Sequence, residues 1–366
     1  MVLLGSTGSI GVNALKIAKE FQIDIEVLVA GRNINLLNQQ ILEFSPKIVV
    51  IQDKRDLHAI RAPHTRVLVG DEGIKEAIRA SESKLVLNAI VGSAGLMPSF
   101  YALEYEKDLA LANKESLVLA GWLLQNYSIR PVDSEHFGLW YLLDERKKIS
   151  SMTITASGGA FRNTPLKEIP YKKPEDALKH PNWKMGKKIT IDSASMVNKL
   201  FEILEARWLF GDIALEAVIE STSSIHAFVS FEDGSTTAHI SNPDMRLPIA
   251  YAIDPKKARD KSLIQKIDLT KMKPLIFEEI NPKRYPLWSL KDKLLNSPQL
   301  GIVLHSANEV LVEAFLNKKI LFGQIADGVF RAMEKFEGQC GGICEINHIL
   351  ELQKEIQLFV KQGLGL

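Results

Sequence analysis

The sequence predicts an α/β protein: an N-terminal Rossmann-like parallel sheet, an α+β middle domain and a C-terminal helical bundle. Three observations carry that prediction. Short apolar runs alternate with amphipathic segments from Met1 to about Arg130, the pattern of βαβ units. Two alternating runs flank Asp233-Gly234 in SIHAFVSFEDGSTTAHIS, a hairpin signal that demands antiparallel pairing. Towards the C-terminus, LFGQIADGVFRAMEKF and CEINHILELQKEIQLFVKQ carry helical spacing.

The elements follow in order. MVLLG precedes NALKIAKEF, and IEVLVAG precedes INLLNQQILEF; KIVVIQD, RVLVG, KLVLNAIVG and DLALANK continue the series. After Ile149, SMTITASGGAF alternates as a strand does. The stretch from Asp254 to about Pro286, rich in Lys, Pro and Asp, is expected as a linker. Ser306-Ala-Asn-Glu309 is expected as a capping box in front of VLVEAFLNKK. The expected domains are residues 1–132, 133–254 and 286–366, with 255–285 as the linker.

A chain of 366 residues supports two or three cores at roughly 150 residues per domain. With 45 basic and 44 acidic residues the net charge is +1, which argues against a nucleic-acid or anionic-membrane partner. Lys184, Lys187 and Lys188 are expected on a solvated face. No apolar run approaches the roughly 18 residues of a membrane span, and MVLLGSTG lacks the charged start of a signal peptide. Cys340 and Cys344, without a second ligand pair, are expected as free thiols of a cytoplasmic protein.

Gly5-Ser-Thr-Gly8-Ser-Ile-Gly11 lies between the first strand and the first helix. Glycines there let backbone approach a pyrophosphate, and the helix start offers free N–H groups. Ser6 stands where the common G-x-G-x-x-G has its first glycine, so the placement in a strand–turn–helix unit carries the inference. At the end of the second strand, Gly31-Arg32-Asn33 replaces the acid that would hold an NAD ribose. Arg32 suits a 2′-phosphate, which favours NADP.

Ile129 to Asp133 are expected as the end of a strand, which would put Asp133 and Glu135 of PVDSEH on the same face. Neighbouring carboxylates repel unless a cation or proton joins them, although DSE also suits a solvated turn. Glu202, three residues after Lys199 on an expected helix, is a third hard oxygen donor, suited to Mg²⁺ or Mn²⁺. A surface acid paired with Lys199 or Arg207 satisfies the same spacing. Ser157-Gly158-Gly159 follows an expected strand, and DSASMVNK presents Ser193, Ser195, Asn198 and Lys199 at one expected helix start, as donors to a phosphate, where Ser195 equally suits a cap of that helix. His180, Trp183 and Met185 fall in a Pro- and Gly-flanked segment; Trp and Met are more often core residues, and only the loop-like surroundings favour a lid.

Taken in order, GSTGSIG, AIVGSAGL, LANKESLV, VDSEH, ASGGAFR, HPNWKMG, DSASMVNK and PDMR resemble the 1-deoxy-D-xylulose 5-phosphate reductoisomerases. The resemblance implies an NADP-dependent oxidoreductase of the non-mevalonate isoprenoid route, a homodimer using NADPH and a divalent cation. It implies that Asp133, Glu135 and Glu202 ligate the metal, and that Lys114 and Ser134 contact the substrate. Ser157, His180, Ser193, Asn198 and Lys199 would hold the substrate, mostly its phosphate; Lys114, Glu135 and His180 would be catalytic. Thr7, Gly8, Ser9, Ile10, Gly31, Arg32, Asn33, Asn113, Glu115 and Gly186 would line the NADPH site. Two departures stand out. Leu200-Phe201 replaces the common Gly-Leu, and Glu220-Ser-Thr-Ser223 replaces His-Pro-Gln-Ser. Two rival readings are an NADP-dependent dehydrogenase whose acids merely orient a polar substrate, and a non-catalytic NADPH sensor. The intact acid set argues against both.

Overall fold

The computed structural model describes residues 1–144, 147–183 and 185–365, so Lys184 of the basic trio lies outside the described residues. The chain forms two compact units: 1–116 with 125–137 and 244–265, and 117–124 with 138–243 and 266–366.

The first unit is built on seven strands: β1 (Val2–Leu4), β2 (Val27–Ala30), β3 (Ile48–Ile51), β4 (Arg66–Val69), β5 (Leu85–Asn88), β6 (Asp108–Leu111) and β7 (Ile129–Pro131). All pair in parallel, in the order β4-β3-β2-β1-β5-β6-β7. The central strands read as unbroken apolar runs because both faces are covered; no position of β1, β2 or β3 is left in water. Strand order reverses beside β1, so a crevice opens where β1 and β5 end, the usual place for a nucleotide in a doubly wound sheet.

Helix Ser9–Glu20 turns Ala14, Leu15, Ile17 and Ala18 into the core, a stripe one helical face wide. The helix Arg246–Ile253, far downstream, packs on it and adds Ile249, Ala250 and Ile253 to the same cluster. The Tyr251 ring meets Phe137 at 5.2 Å, and Arg130 donates to the Ala252 carbonyl at 3.2 Å.

In the second unit, β8 (Ile149–Ala156), β9 (Ala214–Glu220), β10 (Ile225–Phe231), β11 (Thr236–Ile240) and β12 (Phe277–Glu278) form a mixed sheet, β11-β10-β8-β9-β12. The expected hairpin is present: β10 and β11 pair antiparallel across a turn in which Gly234 takes φ +84. Strand β12 comes from the stretch expected as a linker and pairs with the end of β9. Three helices, Gly301–Leu316, Gly323–Phe336 and Ile346–Gly363, supply the C-terminal layer.

The expected capping box is corrected here: Ser306 and Glu309 lie inside Gly301–Leu316, not before it. Residues 301–305 are buried and mostly apolar, and burying them outweighs the local preference of Ser306 for a helix start. Cys340 and Cys344 are free, the first buried, with its thiol pushed up to about 11 by burial. Among the described residues no helix is long and apolar enough to cross a membrane.

Candidate active site

The glycine-rich turn sits where β1 gives way to helix Ser9–Glu20. Gly5 takes φ +82, and its N–H donates to the Val29 carbonyl at 2.9 Å. The Gln40 amide pins the turn from the next helix by donating to the Ser6 carbonyl at 2.9 Å. Gly8 is the helix N-cap and brings no side-chain cap, which leaves the first amides for an anion. Thr7, Gly8, Ser9 and Ile10 all reach solvent. At the end of β2, Gly31 and Arg32 are exposed, and Asn33 caps helix Ile34–Phe44 by accepting from Leu36 N–H at 3.2 Å.

Asn113, Lys114 and Glu115 follow β6. Asn113 is buried and donates to the carbonyls of Ile90 at 2.7 Å and Gly92 at 2.9 Å, while its oxygen caps Ser116. Glu115 accepts from Gly92 N–H at 3.2 Å. These two side chains therefore brace the loop after β5, a task their sequence positions do not disclose. The Lys114 ammonium pairs with the Asp133 carboxylate, both largely buried.

The strand end expected at Ile129 to Asp133 is corrected: β7 stops at Pro131, and Ser134 opens the helix Ser134–Tyr141. Asp133 stands just before that helix and accepts from Ser134 N–H at 2.8 Å. Glu135 lies in its first turn and accepts from the Ser134 hydroxyl at 2.5 Å. An anion at a helix start is favoured by the dipole and by free amides, which is why DSEH turns helical here.

In the second unit, β8 ends at Ala156 and delivers Ser157 to a tight turn, with Gly158 at φ +83 and Gly159 at φ +63. A Cβ on Gly159 would lie 2.7 Å from the Ser193 carbonyl oxygen, so only glycine brings this turn against helix Lys187–Ser195. The expected single helix start in DSASMVNK is also corrected. Ser193 and Ser195 close one helix, Met196 breaks it at φ 69, and Asn198 and Lys199 open the next, Val197–Phe210. The surface alternative for Glu202 fails: it is 1% exposed and held by the Asn198 amide and the Lys199 ammonium. Leu200 and Phe201 are buried, and the Phe201 ring tilts against His305 at 5.7 Å, so the bulkier pair is absorbed by the core. Of the basic trio, Lys187 is exposed and Lys188 pairs with Asp192 at 2.8 Å. Gly186 is exposed and N-caps helix Lys187–Ser195.

His180 shows how the hydrogen bonds set its chemistry. Its Nδ1 accepts from the N–H groups of Asn182 at 3.2 Å and Trp183 at 2.9 Å. The neutral ring's proton is therefore on Nε2, which meets Ser157 Oγ at 2.9 Å. Ser157 Oγ also accepts from Gly159 N–H at 3.1 Å, leaving its own proton to be donated to an anion. Burial first, and then the Arg162 cation, push the His180 pKa down to about 4.

Burial, then His226 beside it, likewise holds His239 at about 4; the fully buried His305 lies well below 6.5. In the window between 4 and 6.5 these rings stay neutral in the fold but protonate in the unfolded chain. Acid therefore favours unfolding there. The denaturant midpoint is expected to fall as pH drops from 6.5 to 4, and to fall less steeply in His239→Gln, as equilibrium unfolding at stepped pH will show.

This is the architecture of a dinucleotide-dependent oxidoreductase, with a glycine turn at the sheet's switch point. Models of the 1-deoxy-D-xylulose 5-phosphate reductoisomerase match residues 1–121, and models of its C-terminal domains match 129–210 and 240–358. The reductoisomerase of Helicobacter pylori is 53% identical over the whole of both chains, and that of Wolinella succinogenes 55% identical over 92% of this chain and 93% of its own. A solved reductoisomerase in complex with NADPH, fosmidomycin and magnesium superposes with a TM-score of 0.93 at 31% identity, covering 100% of this chain and 98% of its own. The Zymomonas mobilis enzyme in complex with NADPH gives 0.89 at 31% identity, covering 99% and 98%. The chain belongs to the 1-deoxy-D-xylulose 5-phosphate reductoisomerase family.

Proposed function

We propose that this chain converts 1-deoxy-D-xylulose 5-phosphate to 2-C-methyl-D-erythritol 4-phosphate with NADPH and magnesium, in isoprenoid biosynthesis. The full-length match at 53% identity carries this reading. We assign Asp133, Glu135 and Glu202 to the cation, whose hard-oxygen preference these carboxylates meet. Thr7, Gly8, Ser9, Ile10, Gly31, Arg32, Asn33, Asn113, Glu115 and Gly186 are assigned to NADPH. When bound, the cation polarises the substrate's ketone and neighbouring hydroxyl, and NADPH supplies the hydride.

The chain's own groups do the rest. Ser157 through its own hydroxyl proton, oriented by His180 Nε2–H, holds the phosphate together with Ser193, Asn198 and Lys199, which fixes the reacting carbons at a distance from it. Lys114 and Ser134 face the ketone end, where the Lys114 ammonium offsets oxyanion charge as the carbon–carbon bond breaks and rejoins. We favour this retro-aldol and aldol course; the aldehyde it leaves takes a hydride and a proton to give the alcohol. The loop carrying Trp183 and Met185, both half-buried, excludes water. We place the enzyme in the cytoplasm, in keeping with its free thiols, and as a homodimer.

The test is substrate-dependent loss of NADPH absorbance in the presence of Mg²⁺. Turnover with NADPH well above that with NADH is expected. Arg32→Ala should raise the KM for NADPH by about tenfold, the worth of one charge-assisted pair, and leave that for NADH alone. No turnover, with NADPH still bound, would replace this reading by that of a sensor.

A further inference from the structure

His180 and Trp183 sit on the loop between Leu178 and Gly186, and the side chain of Asn182 moors that loop to the turn after β9. Asn182 Nδ2 donates to the Ser221 carbonyl at 2.9 Å and to Ser223 Oγ at 2.8 Å. A buried carboxylate organises the turn: Glu220, 0% exposed, accepts from the N–H groups of Thr222 at 2.7 Å, Ser224 at 2.9 Å and Ile225 at 3.2 Å. Arg162 ties the Ser221 carbonyl, at 3.2 Å, to that of Ser157, at 2.5 Å. Ser223 itself takes φ +55, a conformation that glycine adopts more easily. A side chain kept in that conformation, with its hydroxyl receiving the Asn182 amide, indicates a use for the hydroxyl.

We infer that Glu220-Ser221-Thr222-Ser223 is a positioning device for the phosphate end of the substrate. Glu220 shapes the turn, the turn seats Asn182, and Asn182 fixes the backbone whose N–H groups orient the His180 ring towards Ser157. These four residues stand where many family members carry His-Pro-Gln-Ser, so this chain anchors its loop through a carboxylate-built turn. The inference rests on the reductoisomerase reading only for the identity of the ligand that Ser157 meets.

Two variants test it, Ser223→Gly and Asn182→Ala, each by steady-state kinetics with 1-deoxy-D-xylulose 5-phosphate and by amide hydrogen exchange of residues 178–186 without substrate. Glycine suits φ +55, so Ser223→Gly should keep or raise the melting temperature while losing one hydrogen bond. At about a half to one decade per bond, KM is expected to rise about threefold in Ser223→Gly and at least about tenfold in Asn182→Ala, with kcat moving less. Exchange across the loop should quicken in both. Faster exchange with unchanged KM would overturn the positioning role, and unchanged exchange would overturn the anchor. If the wild-type chain itself fails to turn over this substrate, the functional reading falls, and the exchange data alone still decide whether the turn moors the loop.

Discussion

Glu135→Gln is expected to lower kcat on the order of a thousandfold or more, while NADPH affinity stays within about twofold. The substitution is nearly isosteric: the carboxylate accepts from the Ser134 hydroxyl at 2.5 Å, and a glutamine oxygen can do the same. What disappears is one negative charge from a set assigned to a hard dication, for which anionic oxygens are the chief source of affinity. A thousandfold loss corresponds to about 4 kcal/mol of transition-state stabilisation. EDTA should do to the wild type what the substitution does to the variant, and excess Mg²⁺ should rescue only the former. Glu202→Gln is the less clean experiment. Glu202 and Lys199 are both buried, and removing the acid's charge takes a counter-charge from a buried lysine, which costs stability as well as activity. Turnover of Glu135→Gln within about tenfold of wild type, or indifference of the wild type to EDTA, would remove the carboxylates from metal binding and favour an ordinary dehydrogenase.

Gly11→Ala is expected to weaken NADPH binding by about a hundredfold and to destabilise the first unit by about 2 kcal/mol. A Cβ at Gly11 would lie 2.3 Å from the Gly5 carbonyl oxygen and 2.6 Å from the Ser6 Cα, both backbone atoms. The turn is held by two N–H groups on the Val29 carbonyl and by Gln40, so it cannot yield without leaving β2. The helix start that would face the pyrophosphate must move instead. Gly338→Ala, at an exposed position where a Cβ would meet nothing within 4 Å, is the control. Calorimetric titration with NADPH and a thermal melt of each variant decide the matter. Unchanged affinity in Gly11→Ala would show that the nucleotide binds away from this turn.

The parts of this protein that were legible in its sequence are those set by local periodicity or by a residue's intrinsic chemistry. β1 to β6 appear where the apolar runs predict them, and β1, β2 and β3 are apolar throughout because both their faces are covered. The hairpin at Gly234 follows from a backbone conformation that few other residues accept. Lys199 and Glu202 pair as their three-residue spacing requires. Local signals misled where burial or a turn overruled them. Ser306 has the composition of a cap but lies within a buried helix. DSASMVNK looks continuous, yet Met196 takes a left-handed conformation and divides it. The alternation at Asp133 and Glu135 breaks at Pro131, where a helix start replaces the strand.

By itself the sequence determined the α/β class and the glycine turn, and it singled out the residues we assign to the nucleotide, the cation and the phosphate, since each depends on side-chain chemistry or short-range spacing. The tertiary structure alone decided which distant residues hold those groups in place. Asn182 and Ser221 are 39 residues apart, Arg162 and Ser221 are 59, and Arg130 reaches a carbonyl 122 residues on. Such partners share no period or motif; they meet because burying the apolar faces of two sheets and their helices brings their backbones together, and a buried polar atom must then find a partner.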